Sequence, residues 1–334
     1  VRIVRTSTPG GELPRHAVAT IGNYDGIHLG QRAVLAEVVN RALEVGAPSL
    51  AITFDPHPLR LLAPARAPRR LTTEEQRARL LDEIGLDALL VLPFDRELAA
   101  MEAEEFVRRL LVGELAVREI RVGSGFAFGH GRRGDLELLV RLGSELGFEA
   151  TGVPEVELDG EPISATRIRR ALDHGRVEEA AKLLGRPYSI LGTVEHGDRR
   201  GSEIGFPTLN LGTENEILPA HGVYVARTTF ADRRDRFPGV ANVGLRPTIG
   251  KDLRPMAEVH LFDFERECYG ARVEVELLHR LRPERRFGSL EELQQQIGQD
   301  ARAAREYFAG PERSPGRKAA GKVAGEPLDS NPSR

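Results

Sequence analysis

Short apolar runs and helically periodic stretches alternate along the first half of the chain. HAVATI (16–21), SLAITF (49–54), DALLVL (87–92), VREIRV (117–122) and FEATGV (148–153) read as strands. Between them, 29–45, 73–84, 103–112 and 135–146 place apolar residues at helical spacing. Thr72 with Glu75, and Thr73 with Gln76, offer two capping-box starts for the second of these helices. Strand–helix alternation with short joints predicts a parallel sheet with crossover helices. Two more helices, over 165–174 and 176–184, close this half at LLGRP.

The pattern changes after Pro187. Up to about Arg282 the runs are short and β-rich: YSILGTVE, GVYVARTTF, GVANVG, AEVHLFDF and ARVEVELL, separated by turns bearing Gly and Pro. They predict a small antiparallel barrel or sandwich. One long helix follows, opened by a Ser289/Glu292 capping box and carrying a stripe of Leu290, Leu293, Ile297, Ala301, Ala304 and Phe308 that reads as core packing. From Gly310 the chain is rich in Gly, Pro and charge with no apolar period, which predicts disorder. The expected divisions are 1–185, 186–309 and a tail over 310–334.

Composition narrows the class. The 334 residues are 40% hydrophobic and 29% charged, as in a soluble globular protein of two domains. No apolar run reaches membrane-span length and the first residues lack a secretory pattern, so a cytoplasmic protein without a membrane partner is expected. Cys268 is the single cysteine, which excludes an intrachain disulfide and argues against a cysteine-based zinc site. A net charge of −3 argues against bulk nucleic-acid binding. Lysine occurs only at 182, 251, 318 and 322, and none follows glycine and precedes Ser or Thr, so there is no Walker-type phosphate loop. Oligomeric state is not legible.

GNYDGIHLGQ (22–31) sits where the first strand hands over to the first helix. Ligands of open α/β sheets bind beyond the carboxyl ends of strands, and a helix N-terminus there attracts anions. Gly22 and Gly26 permit positive φ and close backbone approach. His28 and Gln31 lie one helical turn apart and can face one phosphate. The plain alternative is a flexible turn capped by Asp25.

The segment GNYDGIHLGQ resembles the G-N-F-D-G-x-H-x-G-H motif of the bacterial bifunctional riboflavin kinase/FAD synthetase family, whose H-x-G-H marks the nucleotidyltransferase superfamily. ISATRIR (163–169) is similar to the superfamily's second signature, and TFDPHP (53–58) and VGSGFAFGHGRRGD (122–135) resemble two further family segments in the expected order. The resemblance implies a Rossmann-like nucleotidyltransferase domain in which FMN phosphate attacks the α-phosphorus of ATP and pyrophosphate leaves. On that reading His28 donates to the transferring phosphate, Ser164, Thr166 and Arg169 hold the β- and γ-phosphates, Asn23 and Asp25 shape the turn, and His57 touches flavin. A rigid turn held by two prolines explains His57 equally well. Three positions depart from the family pattern: Gln31 stands for its second histidine, Gly125 for an aspartate, and Pro162 for a basic residue. They predict slow or absent adenylylation.

GTVEHGDRRGSEIGFPTLNL (192–211) poses a similar choice between a hairpin loop and a phosphate cradle built on Gly192, Gly197, Gly201 and Gly205. Thr208 and Asn210 carry neutral oxygens suited to magnesium, which takes few protein ligands. PTLN is similar to the P-T-A-N motif of riboflavin kinases, and LPAHGVYVA (218–226), GVANVGLRPTIG (239–250) and AEVHLFDFERECYG (257–270) follow in family order. The likeness implies that Glu258 is the base for the riboflavin 5′-hydroxyl, with Mg²⁺ and ATP bound. Strand alternation places Glu258 and His260 on one face, His260 more as a structural residue. Arg246 and Arg254 fall on expected loops that can close over flavin or phosphate.

Three readings compete with the two-reaction one. These are a riboflavin kinase with a degraded first domain, a flavin-holding regulator without turnover, and a cytidylyltransferase. The last leaves the β-rich half unexplained, and Thr208, Asn210 and Glu258 speak against the regulator.

Overall fold

The structure, a computed structural model, describes residues 1–5, 13–197, 205–231, 235–247 and 253–310. It opens with a six-stranded sheet in the order β1-β4-β3-β2-β5-β6, every neighbouring pair parallel. The strands are β1 (Arg2–Arg5), β2 (Val18–Ile21), β3 (Ser49–Asp55), β4 (Ala88–Pro93), β5 (Glu119–Gly123) and β6 (Glu149–Val153). The chain leaves β2 toward β3 on one side and returns to β5 on the other. The carboxyl end of β2 is therefore the switch point where such sheets bind ligands.

Helices cover both faces. The helices of this half are α1 (Leu29–Val45), α2 (Pro58–Leu62), α3 (Glu74–Ile84), α4 (Arg96–Ala100), α5 (Ala103–Phe106) and α6 (Leu136–Leu146), followed by α7 (Ala165–Asp173) and α8 (Val177–Leu184), which pack against the second half instead. Leu50, Ile52 and Leu90 pack on one side of the sheet with Phe106, Leu111 and Leu139. On the other side, Ala51, Leu89 and Val91 meet Leu35, Leu80 and Leu81. Both faces are apolar because both are covered, hence the continuous apolar runs in the sequence.

The second half is a closed antiparallel barrel. Its strands are β9 (Tyr188–Glu195), β10 (Leu209–Thr213), β11 (Gly222–Phe230), β12 (Arg236–Pro247), β13 (Leu253–Leu261) and β14 (Arg272–Pro283), joined in the order β10-β13-β12-β11-β14-β9 and back to β10. The expected choice between barrel and sandwich thus falls to the barrel. Its interior, with Ile190, Tyr224, Val259 and Val275, is continuous with the apolar faces of α7 and α8 and with Leu71.

Several local expectations change. The edge strand β1 is four residues with arginine at both ends, too short and polar to read as a strand. A two-residue hairpin, β7 (Glu157–Leu158) with β8 (Glu161–Pro162), went unread for the same reason. The helix over 103–112 widens after Phe106 into a π-helical stretch, Val107–Glu114. Thr73, not Thr72, caps α3 by exchanging bonds with Gln76; the Thr72 hydroxyl serves the first site instead. In the last helix, α9 (Leu290–Ala309), Ser289 accepts from the Glu292 N–H at 3.2 Å, but the Glu292 carboxylate takes the Gly288 N–H, so the box is half formed. Leu290 is exposed, whereas Ala301, Ala304 and Phe308 pack on the barrel with Val225 and Leu278. The tail from 311 lies outside the described residues.

Asp300 fixes α9 to the barrel. It is buried, takes two nitrogens of Arg282 on β14, and accepts from Gln296. Asp300→Ala strands the guanidinium under the helix, so urea unfolding should show a loss of about 2–4 kcal/mol.

Candidate active sites

The turn after β2 is built around Asp25. Its carboxylate accepts from the Leu71 N–H at 2.9 Å, the Thr72 N–H at 3.2 Å and the Thr72 hydroxyl, and it pairs with Arg169. One acid thus joins the first motif, the segment before α3, and the ISATRIR helix α7. Gly26 has φ 86°, and a Cβ there would stand 2.8 Å from Leu71. Gly22 does not use the left-handed region; its N–H donates to Ile52, still on the strand's course. The left-handed residues beside Gly26 are Tyr24 and Ile27, both fully buried, with φ 34° and 43°. Backbone strain of this kind persists where surrounding packing fixes it.

His28 caps α1. Its Nδ1 accepts the Gln31 N–H at 3.3 Å, and the Gln31 carboxamide oxygen accepts the His28 N–H at 3.2 Å. Gln31 is therefore engaged by the cap through its oxygen rather than free to turn wholly to a phosphate. A neutral imidazole that accepts at Nδ1 carries its proton on Nε2, which makes Nε2 the donor. Burial, with the charges of Arg186 and Arg169, pushes the His28 pKa down to about 4. The unfolded chain takes up this proton as pH falls below about 6.5 while the folded chain resists until near 4, so stability is lost over that window. NMR titration should find the His28 ring neutral and unshifted from pH 8 down to about 5.

The other expected residues of this site fall into two groups. Asn23, Asp25 and His57 line one pocket beyond β2 and β3, together with Phe54, Arg70 and Arg77. His57 also caps α2, its Nδ1 accepting from Leu59 at 3.1 Å, which gives it a structural role. His28 is buried, and a Cβ on Gly30 would lie 3.3 Å from its ring and 3.5 Å from the Ile163 carbonyl oxygen. Ser164 caps α7 through the Arg167 N–H, and Thr166 is exposed on that helix's first turn. Arg169, expected on phosphate, is committed to Asp25 and the Arg69 carbonyl. Arg70 and Arg77 were missed because nothing in RRLTTEEQRARL distinguishes a pocket arginine from a solvated one.

The departures from the family pattern have local accommodation. A side chain at Gly125 would begin 3.1 Å from a Glu155 carboxylate oxygen, so a carboxylate already stands there. Pro162 is the strand residue opposite Glu157.

The second site lies on the outer face of the barrel. Residues directly opposite in antiparallel strands share a face. Asn210 stands opposite Glu195 and Glu258, and Glu258 opposite Asn242, so four polar side chains form one row across β9, β10, β13 and β12. Their neighbours Val194, Leu211, Ala241 and Val259 fill the interior. The Asn210 carboxamide oxygen is buried without a hydrogen-bond partner among the described residues. A Cβ on Gly197 would lie 2.0 Å from the Asn210 nitrogen, so the loop can cross here only as glycine. Asn242 was missed, although a lone polar residue in GVANVG was its signal.

His260 bonds through Nδ1 to the Pro207 carbonyl at 2.8 Å, securing the residue before Thr208 and fitting its structural reading. Cys268 is half-buried, and burial raises its thiol pKa. Two expectations need correction. Gly192 lies in β9, where a Cβ would meet the Gly212 carbonyl at 2.3 Å; it permits strand approach and is not part of a loop. Arg246 and Arg254 face each other in register on β12 and β13, because strand pairing runs on to Pro247 and Leu253. Gly205, at φ 82°, forms a turn, and Gly201 lies outside the described residues.

The chain thus joins an α/β sheet with a helix-capping histidine at its switch point to a barrel with an acid beside a carboxamide oxygen that has no partner among the described residues, two candidate sites on one chain. Family models match both parts: FAD synthetase over residues 11–167 and riboflavin kinase over 184–308. The chain is 42% identical to the bifunctional riboflavin kinase/FMN adenylyltransferase of Escherichia coli strain K12, over 87% of this chain and 92% of that one. The protein of the same description from Pseudomonas fluorescens is 41% identical over 88% and 94%. That from Haemophilus influenzae is 37% identical over 92% and 99%. The chain belongs to the bifunctional riboflavin kinase/FMN adenylyltransferase family. A solved structure described as a macrolide-efflux protein from Streptococcus pneumoniae shares the fold, with TM-score 0.81 and 29% identity over 93% of this chain and 100% of that one. Among the described residues of this chain no helix is long and apolar enough to cross a membrane.

Proposed function

We infer that residues 186–309 phosphorylate riboflavin to FMN with ATP and that residues 1–185 adenylylate FMN to FAD, releasing pyrophosphate. The observation that carries this reading is the placement of Glu258 directly opposite Asn210, whose buried carboxamide oxygen has no partner among the described residues.

In the first reaction the Glu258 carboxylate takes the proton of the riboflavin 5′-hydroxyl as that oxygen attacks the γ-phosphorus of ATP, and ADP leaves. Thr208 and Asn210 suit Mg²⁺: both offer neutral oxygens, and the Asn210 oxygen, without a partner among the described residues, is the kind of atom a cation completes. An ion held by these two residues would supply neutralisation of the phosphate charge. In the second reaction an FMN phosphate oxygen attacks the α-phosphorus, pyrophosphate departs, and the His28 Nε2–H donates to the phosphate as its charge develops. The N-terminus of α1 favours the same anion. Ser164 and Thr166, at the start of α7, suit the remaining phosphates. Arg169 reaches them on exchanging partners with Asp25.

Adenylylation is retained on this reading despite Gln31, Gly125 and Pro162. Both family models and relatives spanning both halves favour two reactions over a kinase alone. A cytoplasmic setting fits the single cysteine. Chromatographic separation of products from riboflavin, ATP and magnesium tests the whole: FMN should appear first and FAD after it. FMN alone leaves a kinase, and the absence of both overturns the reading.

A further inference from the structure

The stretch Arg69–Thr72 supplies the two backbone N–H groups that hold Asp25. It belongs to the first half of the chain, yet the barrel fastens it. The connection between β10 and β11 carries Asn215 and Glu216. Glu216 accepts the Arg70 N–H at 2.7 Å, and its other oxygen pairs with Arg60 on α2 at 2.5 Å. Asn215 is buried and bonds on both sides of the seam: it accepts the Leu191 N–H at 2.8 Å, and it donates to Gln76 at 2.9 Å and to the Leu71 carbonyl at 3.4 Å. The Leu71 side chain, 1% exposed, is itself part of the hydrophobic cluster that fills the barrel. Arg70 then reaches Asp55 at the end of β3.

We propose that Asn215 and Glu216 are positioning residues for adenylyl transfer, supplied by the domain that does not perform it. They set the backbone of Arg70–Thr72, which orients Asp25 and with it the turn that presents His28. Through Arg60, Glu216 also fixes α2, the helix that His57 caps. Both follow β10 at its far end, after Thr213, whereas Asn210 stands near its start. The proposal rests on the reading of the first site as an FMN adenylyltransferase.

The test uses the full chain with Glu216→Ala and Glu216→Gln. FAD formation from FMN and ATP, FMN formation from riboflavin and ATP, and amide hydrogen exchange at Leu71 and Thr72 are measured in each. In Glu216→Ala, kcat for FAD formation should fall roughly 10-fold or more, since small misplacements of reacting groups are costly. The rate of riboflavin phosphorylation should stay within about 2-fold of the unsubstituted protein, and the two amides should exchange roughly 10-fold faster. Glu216→Gln keeps an acceptor for the Arg70 N–H and loses the charge facing the Arg60 and Arg70 guanidinium groups, so it should show a smaller loss in the same direction. FAD formation within about 2-fold in both variants, or a parallel fall of both reactions in Glu216→Gln, overturns the proposal. An unsubstituted protein that forms no FAD would overturn the underlying reading instead, so the two failures are distinguishable.

Discussion

Replacing Glu258 by glutamine should abolish FMN formation in practice, lowering kcat by roughly 10²–10⁴ while FAD formation from supplied FMN continues at its former rate. The substitution keeps shape and reach and removes the negative charge, and with it the capacity to take a proton. Glu258 sits in mid-strand with Asn210 on one side and Asn242 on the other, so the backbone holds the change without rearrangement. Riboflavin should still bind, measured by quenching of its fluorescence, because the variant deletes proton transfer rather than contact. A Glu258→Gln protein that phosphorylates riboflavin at an undiminished rate would remove this acid from the reaction. It would also leave the polar row as a binding surface, which is the regulator reading in another form.

His28→Ser should do the opposite. FAD formation should fall by roughly 10²–10³, the loss found when one donor to a developing oxyanion is removed, with riboflavin phosphorylation unchanged. Serine is the informative replacement because the histidine has two duties. Its Nδ1 caps α1, a role worth about 1 kcal/mol that a serine hydroxyl fills well. Its Nε2–H has the second duty, and serine is too short to perform it. A thermal midpoint close to that of the unsubstituted protein, together with the lost rate, would assign the effect to donation. If rate and midpoint both held, His28 would be a capping residue alone. Its lowered pKa keeps the ring neutral near pH 7, so Nδ1 stays an acceptor for the cap and Nε2–H is the donor.

Legibility in the sequence tracked how local each cause was. Helix α1 was bounded to the residue because its start, GNYDGIH, and its closing glycine at 46 are both local signals. The barrel strands were visible through alternation, and Glu258 through its place in AEVHLF. What stayed hidden depended on partners far away in the chain. Arg169 meets Asp25 across 144 residues, and Asn215 meets Leu71 across the same distance. No window of sequence contains either pair. Gly192 was misread because a glycine that admits a neighbouring strand looks the same as one that wraps a phosphate. Arg246 and Arg254 were placed on loops because Gly and Pro nearby signalled a turn, while the pairing extends past them.

Helices α7 and α8 precede the barrel in the chain but share its apolar interior. Ile168, Leu172, Leu183 and Leu184 are each at most 1% exposed in that setting. A cut at the point where β9 begins would leave these side chains bare on the severed fragment, and α7 carries Ser164's helix start and Arg169. Separation of the two catalysts is therefore lopsided. An adenylylating piece trimmed of the barrel inherits a sticky, ill-supported flank, which gives selection a physical reason to keep both steps on one polypeptide.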